Sequence, residues 1–381
     1  MSGHTILGIP KEGEVVRGIE EHRVGLSPAG VRDLVELGAG VFVASGAGGA
    51  AGFRNGEYRS AGAQVVYSNE EVIRRADIVI QIGRPAEAEW PFYNPGSTLF
   101  SFLILNLPAP RLMRMLVEKK MTSIGYEAVR LDDGTRPILR VSSEIAGKMA
   151  VQIAGRLLET TSGGKGVLLG GTPGIPPADV VILGGGTVGY FAARTFLGTG
   201  ASVYILDNDL ERLRELDELF QGRVVTAVSN QANIEKHVAF ADVLLTCALV
   251  SGKPAPVLVS EKMVEQMYPG SVIIDFSIDQ GGCVETSRLD TSENFLFNQH
   301  GVVHFCAPNI PAMVARTSSY GLTNALLPYL RQIVSDGLAE TLKFDRSLCR
   351  GLYTFDGYLA GSLPEVGLPQ MDLEQRISEM D

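Results

Sequence analysis

Gly184, Gly186 and Gly189 stand at the spacing G-x-G-x-x-G, after an apolar run (180–183) and before a helix-like segment (190–198). A second apolar run (202–206) follows and ends on Asp207. Strand, glycine turn, helix and a terminal acid in that order suit the pyrophosphate and ribose of a dinucleotide. Gly184 permits the tight turn, and Gly186 lets the backbone approach the pyrophosphate. Gly189 lets the helix pack closely on the sheet, and the helix start at Thr187 and Val188 stabilises phosphate charge. Asp207 sits about 20 residues past the loop, where a carboxylate accepts ribose hydroxyls. It would repel a 2′-phosphate, so the expected cofactor is NAD rather than NADP. The competing reading is a glycine-rich turn in an ordinary α/β sheet.

These residues need a sheet to hold them, and the chain has material for two. Residues 5–140 alternate short apolar runs (5–9, 41–44, 64–67, 78–82, 98–103, 122–126) with helical patterns. Ser27 and Pro28 form a helix start, with serine as the cap and proline at the first helical position. Residues 142–160 carry a long helical pattern. A second βαβ unit runs from 179 to about 228, further strands follow at 243–246, 271–275 and 302–305, and a helical pattern returns from Thr317. This alternation predicts an α/β fold with mostly parallel sheets flanked by helices.

Length and composition bound the function. The 381 residues suggest two domains, and 45% hydrophobic with 20% charged residues describes a globular chain with large cores. A net charge of −10 makes nucleic acid an improbable partner. Four widely spaced cysteines (Cys247, Cys283, Cys306, Cys349) show no metal-ligand or disulfide spacing. No run is long and apolar enough for a membrane span. A cytoplasmic protein that binds no metal, membrane or nucleic acid is expected.

Several ordered stretches together resemble the alanine dehydrogenase/transhydrogenase α-subunit family. They include Gly8-Ile9-Pro10-Lys11-Glu12, His22-Arg23-Val24, Ser143-Glu144-Ile145-Ala146-Gly147, the glycine loop, Ile278-Asp279-Gln280-Gly281-Gly282 and Pro308-Asn309-Ile310-Pro311. The resemblance implies two Rossmann-like domains with the cofactor cleft between them. Residues 1–142 and 311–381 would form the substrate domain, and 143–310 the NAD domain. It implies that Arg23 grips a substrate carboxylate and that Asp279 works near nicotinamide and substrate. It adds Ser143 and Asn309 to the cofactor contacts, with Asn309 also able to meet substrate. It further implies a homo-oligomer, dimer or hexamer. The implied reaction interconverts an L-amino acid with its 2-oxo acid and ammonia, alanine and pyruvate by default.

The chain departs from the family at the acid/base groups. Relatives with alanine dehydrogenase activity carry a lysine in a K-V-K-E-P-like segment; here Gln81-Ile82-Gly83-Arg84-Pro85 puts Gly83 there and Arg84 beside it. Their catalytic histidine falls near Ile104, with Asn106 two residues on, and neither side chain titrates near neutrality. Arg84 and Arg140 stand where relatives usually lack arginine. With Arg23 they could line a pocket for a more acidic substrate, or they could be two solvated surface residues. Arg23 itself could instead be a surface ion pair with Glu20 or Glu21. His304 reads as a packing residue. The alternatives to a dehydrogenase are a transhydrogenase-like nucleotide-binding subunit and a non-catalytic NAD-binding regulator.

Overall fold

Ser27 and Pro28 do open the first long helix, Pro28–Glu36: the Ser27 hydroxyl accepts from the Gly30 amide at 3.4 Å. Gly30 lets this helix approach the Ala315–Asp336 helix, since a Cβ there would lie 2.4 Å from Thr323 Cγ2. The computed structural model describes residues 5–13, 15–16, 19–103, 109–248, 254–290, 295–360 and 370–371. The chain divides into two units. One holds the N-terminal strand, Glu20–Ser142 and the chain from Ala312; the other holds Ser143–Pro311. The helix Pro137–Leu157 carries the chain from the first into the second.

The first unit is built on a nine-stranded sheet. Its parallel part runs in the order Gln64–Val66, Gly40–Ala44, Ile6–Ile9, Ile78–Ile80, Thr98–Ser101, Thr122–Gly125. The central strands are buried throughout, as parallel strands covered by helices on both faces must be. Leu7, Ile9, Val31, Leu34, Ile80, Leu322 and Leu326 lie in its largest core cluster. Beyond Thr122–Gly125 the sheet turns antiparallel through Leu352–Phe355 and Tyr358–Ala360, which sequence periodicity did not reveal. Their hairpin closes on Asp356 (φ 46°) and Gly357 (φ 85°). An Asp-Gly pair with φ positive at both residues is a common two-residue hairpin turn.

The second unit is a seven-stranded sheet in the order Val225–Val228, Ser202–Asp207, Asp179–Leu183, Val243–Thr246, Val272–Asp275, Val302–Phe305, Leu296–Gln299. Only the last strand is antiparallel. In each unit the order of the strands reverses beside the first strand. The reversals lie between Ile6–Ile9 and Ile78–Ile80, and between Asp179–Leu183 and Val243–Thr246. Ligands of open α/β sheets bind outside the carboxyl ends of the strands at such a switch point.

Candidate functional site

At the switch point of the second unit the glycine loop has the geometry its spacing implied. Gly184 has φ 106°, and a Cβ there would lie 3.1 Å from the Cys247–Ala248 backbone on the neighbouring strand end. Gly186 caps the Thr187–Thr199 helix, and a Cβ there would meet nothing within 4 Å among the described residues. Gly189 is the opposite case: a Cβ would lie 2.0 Å from Gly184 O. So one glycine keeps an approach to the helix start open, and the other keeps the helix against the turn. The Asp207 carboxylate is fixed by the Gly185 amide on Oδ2 (2.6 Å) and the Asp209 amide on Oδ1 (2.9 Å). A carboxylate has about four lone-pair sites, which leaves capacity for ribose hydroxyls. Arg212 clamps the turn by donating from Nε to Gly185 O at 2.7 Å.

These groups fit NAD. An open amide cradle at a helix start suits a pyrophosphate, and a fixed anion at the ribose position opposes a 2′-phosphate. Replacing Asp207 with serine should therefore weaken NADH binding about tenfold, the cost of a charge-assisted hydrogen bond. It should also narrow the preference for NADH over NADPH. Fluorescence titration of both nucleotides checks this; a wild-type protein that binds NADPH as tightly as NADH contradicts the assignment.

The other expected cofactor contacts lie in the same unit. Ser143 is half-buried on the Pro137–Leu157 helix, one turn before Gly147. A Cβ at Gly147 would lie 2.4 Å from Val188 O, so this helix packs against the start of the dinucleotide helix. Asp279 is exposed on the loop after Val272–Asp275, and its Oδ2 accepts from the Asn309 amide at 3.2 Å. Asn309 adopts φ 52°, a left-handed conformation that asparagine tolerates better than most residues. The structure thus brings Asp279 and Asn309 together. Asp275 is buried and bound by Thr246, Ser277 and Cys283, a structural role. His304 is also structural: it is buried, meets Thr286 Oγ1 at 2.7 Å and stacks on Phe297, and burial pushes its imidazole below the usual range.

In the first unit Arg23 is not a surface residue. Its side chain is 4% exposed and forms a two-pronged ion pair with Glu21, itself 7% exposed: Nε to Oε1 at 2.7 Å and Nη2 to Oε2 at 2.6 Å. The guanidinium also lies 5.9 Å from the Phe102 ring centroid. Phe102 in turn meets Tyr126 edge-on at 5.1 Å. The Tyr126 hydroxyl is buried with no hydrogen-bond partner among the described residues.

A cavity of about 160 Å³ opens at this unit's switch point, lined among others by Lys11, Glu12, Asn69, Gln81, Arg84 and Glu89. The site residue that sequence reading missed is Glu12. Its Oε1 accepts from the Ile82 amide at 2.6 Å and its Oε2 from the Gly83 amide at 3.2 Å. Asn69 pins the loop before it, with Oδ1 accepting from the Lys11 amide at 2.7 Å and Nδ2 donating to Lys11 O at 2.8 Å. Burial, with help from the Glu21 charge, pushes the Glu12 carboxyl up to about 8 against the pull of its two amide bonds and Arg23. Arg84 donates from Nε to Leu103 O at 2.5 Å and lines this cavity; Arg23 and Arg140 do not. Arg140 is exposed near Asp133. Ile104, near which the resemblance put the family histidine, and Asn106, two residues on, lie outside the described residues.

Comparison with known proteins gives matches along nearly the whole chain. The model of the alanine dehydrogenase/PNT N-terminal domain matches residues 8–146, and that of the C-terminal domain matches residues 150–361. An alanine dehydrogenase of Methanococcus maripaludis is 44% identical over 353 residues, covering 92% of this chain and 93% of that protein. One of Staphylococcus epidermidis is 43% identical over 354 residues, covering 93% and 94%. Among solved structures, an L-alanine dehydrogenase superposes with a TM-score of 0.88 at 41% identity, covering 98% of this chain and 99% of that one. A transhydrogenase from Sinorhizobium meliloti superposes at 0.80 with 24% identity and 92% and 99% coverage, a likeness of fold.

Proposed function

The chain belongs to the alanine dehydrogenase/PNT family, and from that premise we propose that it is an NAD-dependent dehydrogenase of L-alanine or a close relative. The reaction converts L-amino acid, NAD and water to 2-oxo acid, ammonium, NADH and a proton, and runs in either direction. The observation that carries the reading is a buried, oriented arginine in one unit and an open dinucleotide turn in the other, in a chain like alanine dehydrogenases over 92% of its length. NAD, when bound, accepts the hydride from the substrate Cα or returns it. Arg23 holds the substrate carboxylate with a planar fork that matches its geometry. Asp279 orders water or ammonia, and Asn309 and Ser143 steady the nucleotide. Among the described residues no helix is long and apolar enough to cross a membrane. A cytoplasmic homo-oligomer, dimer or hexamer, is part of this reading.

The substrate side is less conventional. Gly83 stands where relatives have lysine, and Arg84 lines the cavity beside it. That favours, as a second reading, an amino acid with an acidic side chain. The transhydrogenase structure is 24% identical to this chain, against 41% for the L-alanine dehydrogenase structure, which favours the dehydrogenase reading. The test is NADH oxidation with ammonium and a panel of pyruvate, oxaloacetate and 2-oxoglutarate. Turnover of pyruvate is the expected result, and turnover of the dianionic acids alone would select the second reading. NADH binding with no turnover of any oxo acid would leave only a regulatory role.

A further inference from the structure

Resting on the dehydrogenase reading, we propose that Glu12 is the group that carries the substrate's protons in this protein, in the place left by the family lysine. Three observations place it there. First, Glu12 lines the cavity at the switch point of the first sheet, where α/β sheets take their ligands. Second, Gly83 leaves room. Among the described residues, a Cβ at that position would have Glu12 Oε2, 3.5 Å away, as its one neighbour within 4 Å. The carboxyl therefore faces space that a side chain would otherwise enter. Third, the Ile82 and Gly83 amides hold one oxygen each, so the carboxyl is oriented and each oxygen retains a lone pair for a proton.

The other ionisable groups around it suit the task less well. Arg84 cannot act as a base. Glu89 accepts from Asn69 Nδ2 at 2.6 Å, and Lys11 is exposed. Glu21 and Arg23 act on Glu12 through their charges; Arg23 holds the Glu21 carboxylate in the ion pair described above, and a guanidinium cannot act as a base. Tyr93 donates to Gln81 Oε1 at 2.6 Å, and burial raises both Tyr93 and Tyr126 well above the ordinary phenol range, so both stay neutral.

The proton steps balance in the oxidative direction. The substrate ammonium first gives one proton to solvent; hydride then leaves Cα of the neutral amine, giving an iminium ion. Water attacks its carbon, and the Glu12 carboxylate takes a water proton, giving the neutral carbinolamine. Protonated Glu12 gives that proton to the amine nitrogen. The regenerated carboxylate then takes the hydroxyl proton as the C–N bond breaks and the C=O bond forms. Ammonia leaves, collects the proton from Glu12 and departs as ammonium.

The experiment is the pH profile of kcat for amino-acid oxidation at saturating substrate, which reports groups in the complex. The carboxylate is the active form, so kcat should rise with pH through a limb well above the ordinary carboxylate range. Glu12→Gln should lower kcat about 100-fold, the lower part of the range for acid–base groups. It should abolish the limb and leave the NADH dissociation constant within about threefold. Gly83→Lys is the second variant. An ammonium beside Glu12 favours the carboxylate, so the limb should move down by about one pH unit or more. A Glu12→Gln protein that keeps the limb and most of kcat overturns the assignment, as does a Gly83→Lys limb that stays in place. If Glu12→Gln does not fold, by thermal melt, the Gly83→Lys profile decides. Failure of the dehydrogenase reading looks different: the wild-type protein would then turn over no oxo acid at all.

Discussion

Replacing Arg23 with lysine should lower kcat/KM for the oxo acid about a thousandfold and leave NADH affinity unchanged. Lysine keeps the charge but not the fork. Arg23 holds Glu21 through two parallel bonds and sits over the Phe102 ring, so its guanidinium has one orientation. A lysine ammonium in that space is a point charge. It loses one of the bonds to Glu21 and the two-pronged grip on a carboxylate. Each lost charge-assisted hydrogen bond is worth about 1.5–3 kcal/mol, and two of them amount to roughly a thousandfold in rate. NADH affinity should hold because the dinucleotide loop lies in the other unit.

Arg23→Met separates the anchor from the scaffold. It strands a buried Glu21 carboxylate, which costs about 3–5 kcal/mol of stability. The double variant Glu21→Gln, Arg23→Met removes both charges and should recover most of that stability. It should not recover kcat/KM, because nothing then holds the substrate carboxylate. Thermal melts and steady-state kinetics on the same three proteins check the argument. Recovery of kcat/KM in the double variant would reduce Arg23 to a structural ion pair.

The two units differ in how much of them could be read from sequence. The dinucleotide loop was legible because glycine spacing reports backbone geometry directly: Gly184 needs its positive φ, and Gly189 needs its missing Cβ. The buried parallel strands were legible for a similar reason, since apolar runs such as 243–246 and 302–305 coincide with the strands found. The hairpin Leu352–Phe355 and Tyr358–Ala360 was not, because its strands are short and follow a long helical pattern. Its one local signal was the pair Asp356-Gly357. Glu12 was hidden for a deeper reason. In sequence it is an acid after a lysine near a turn, a combination common on surfaces. Its chemistry comes from the Ile82 and Gly83 amides, far along the chain, and from burial that only the folded switch point supplies. The missing lysine was visible in the sequence, but the group facing the space it left was not.

Two of the loop glycines should both weaken NADH binding on mutation to alanine, but only one of them should weaken the fold. Gly186 has φ −64° and ψ −163°, which alanine adopts without strain, and its added methyl would meet no atom of the described residues within 4 Å. Gly186→Ala should therefore cost little in folding, about 1 kcal/mol or less for the poorer helix cap. The methyl would stand where the pyrophosphate must approach the backbone, so NADH affinity should fall about 100-fold. At Gly189 the added carbon would lie 2.0 Å from Gly184 O and 3.3 Å from Cys247 Sγ. The first of these is backbone of the turn itself, not the end of a flexible side chain. The Thr187–Thr199 helix would have to move off the sheet, and the Gly184 turn would lose its place beside Cys247 and Ala248. Overpacking of this kind costs about 3 kcal/mol or more, since no rotamer relieves it. Gly189→Ala should thus lower both Tm and NADH affinity, and a low temperature should not restore binding. Paired melts with and without NADH discriminate. If Gly186→Ala binds NADH as the wild type does, the loop does not hold a pyrophosphate there and the cofactor assignment fails. If Gly189→Ala melts like the wild type, the close packing of helix on turn is not what fixes the loop.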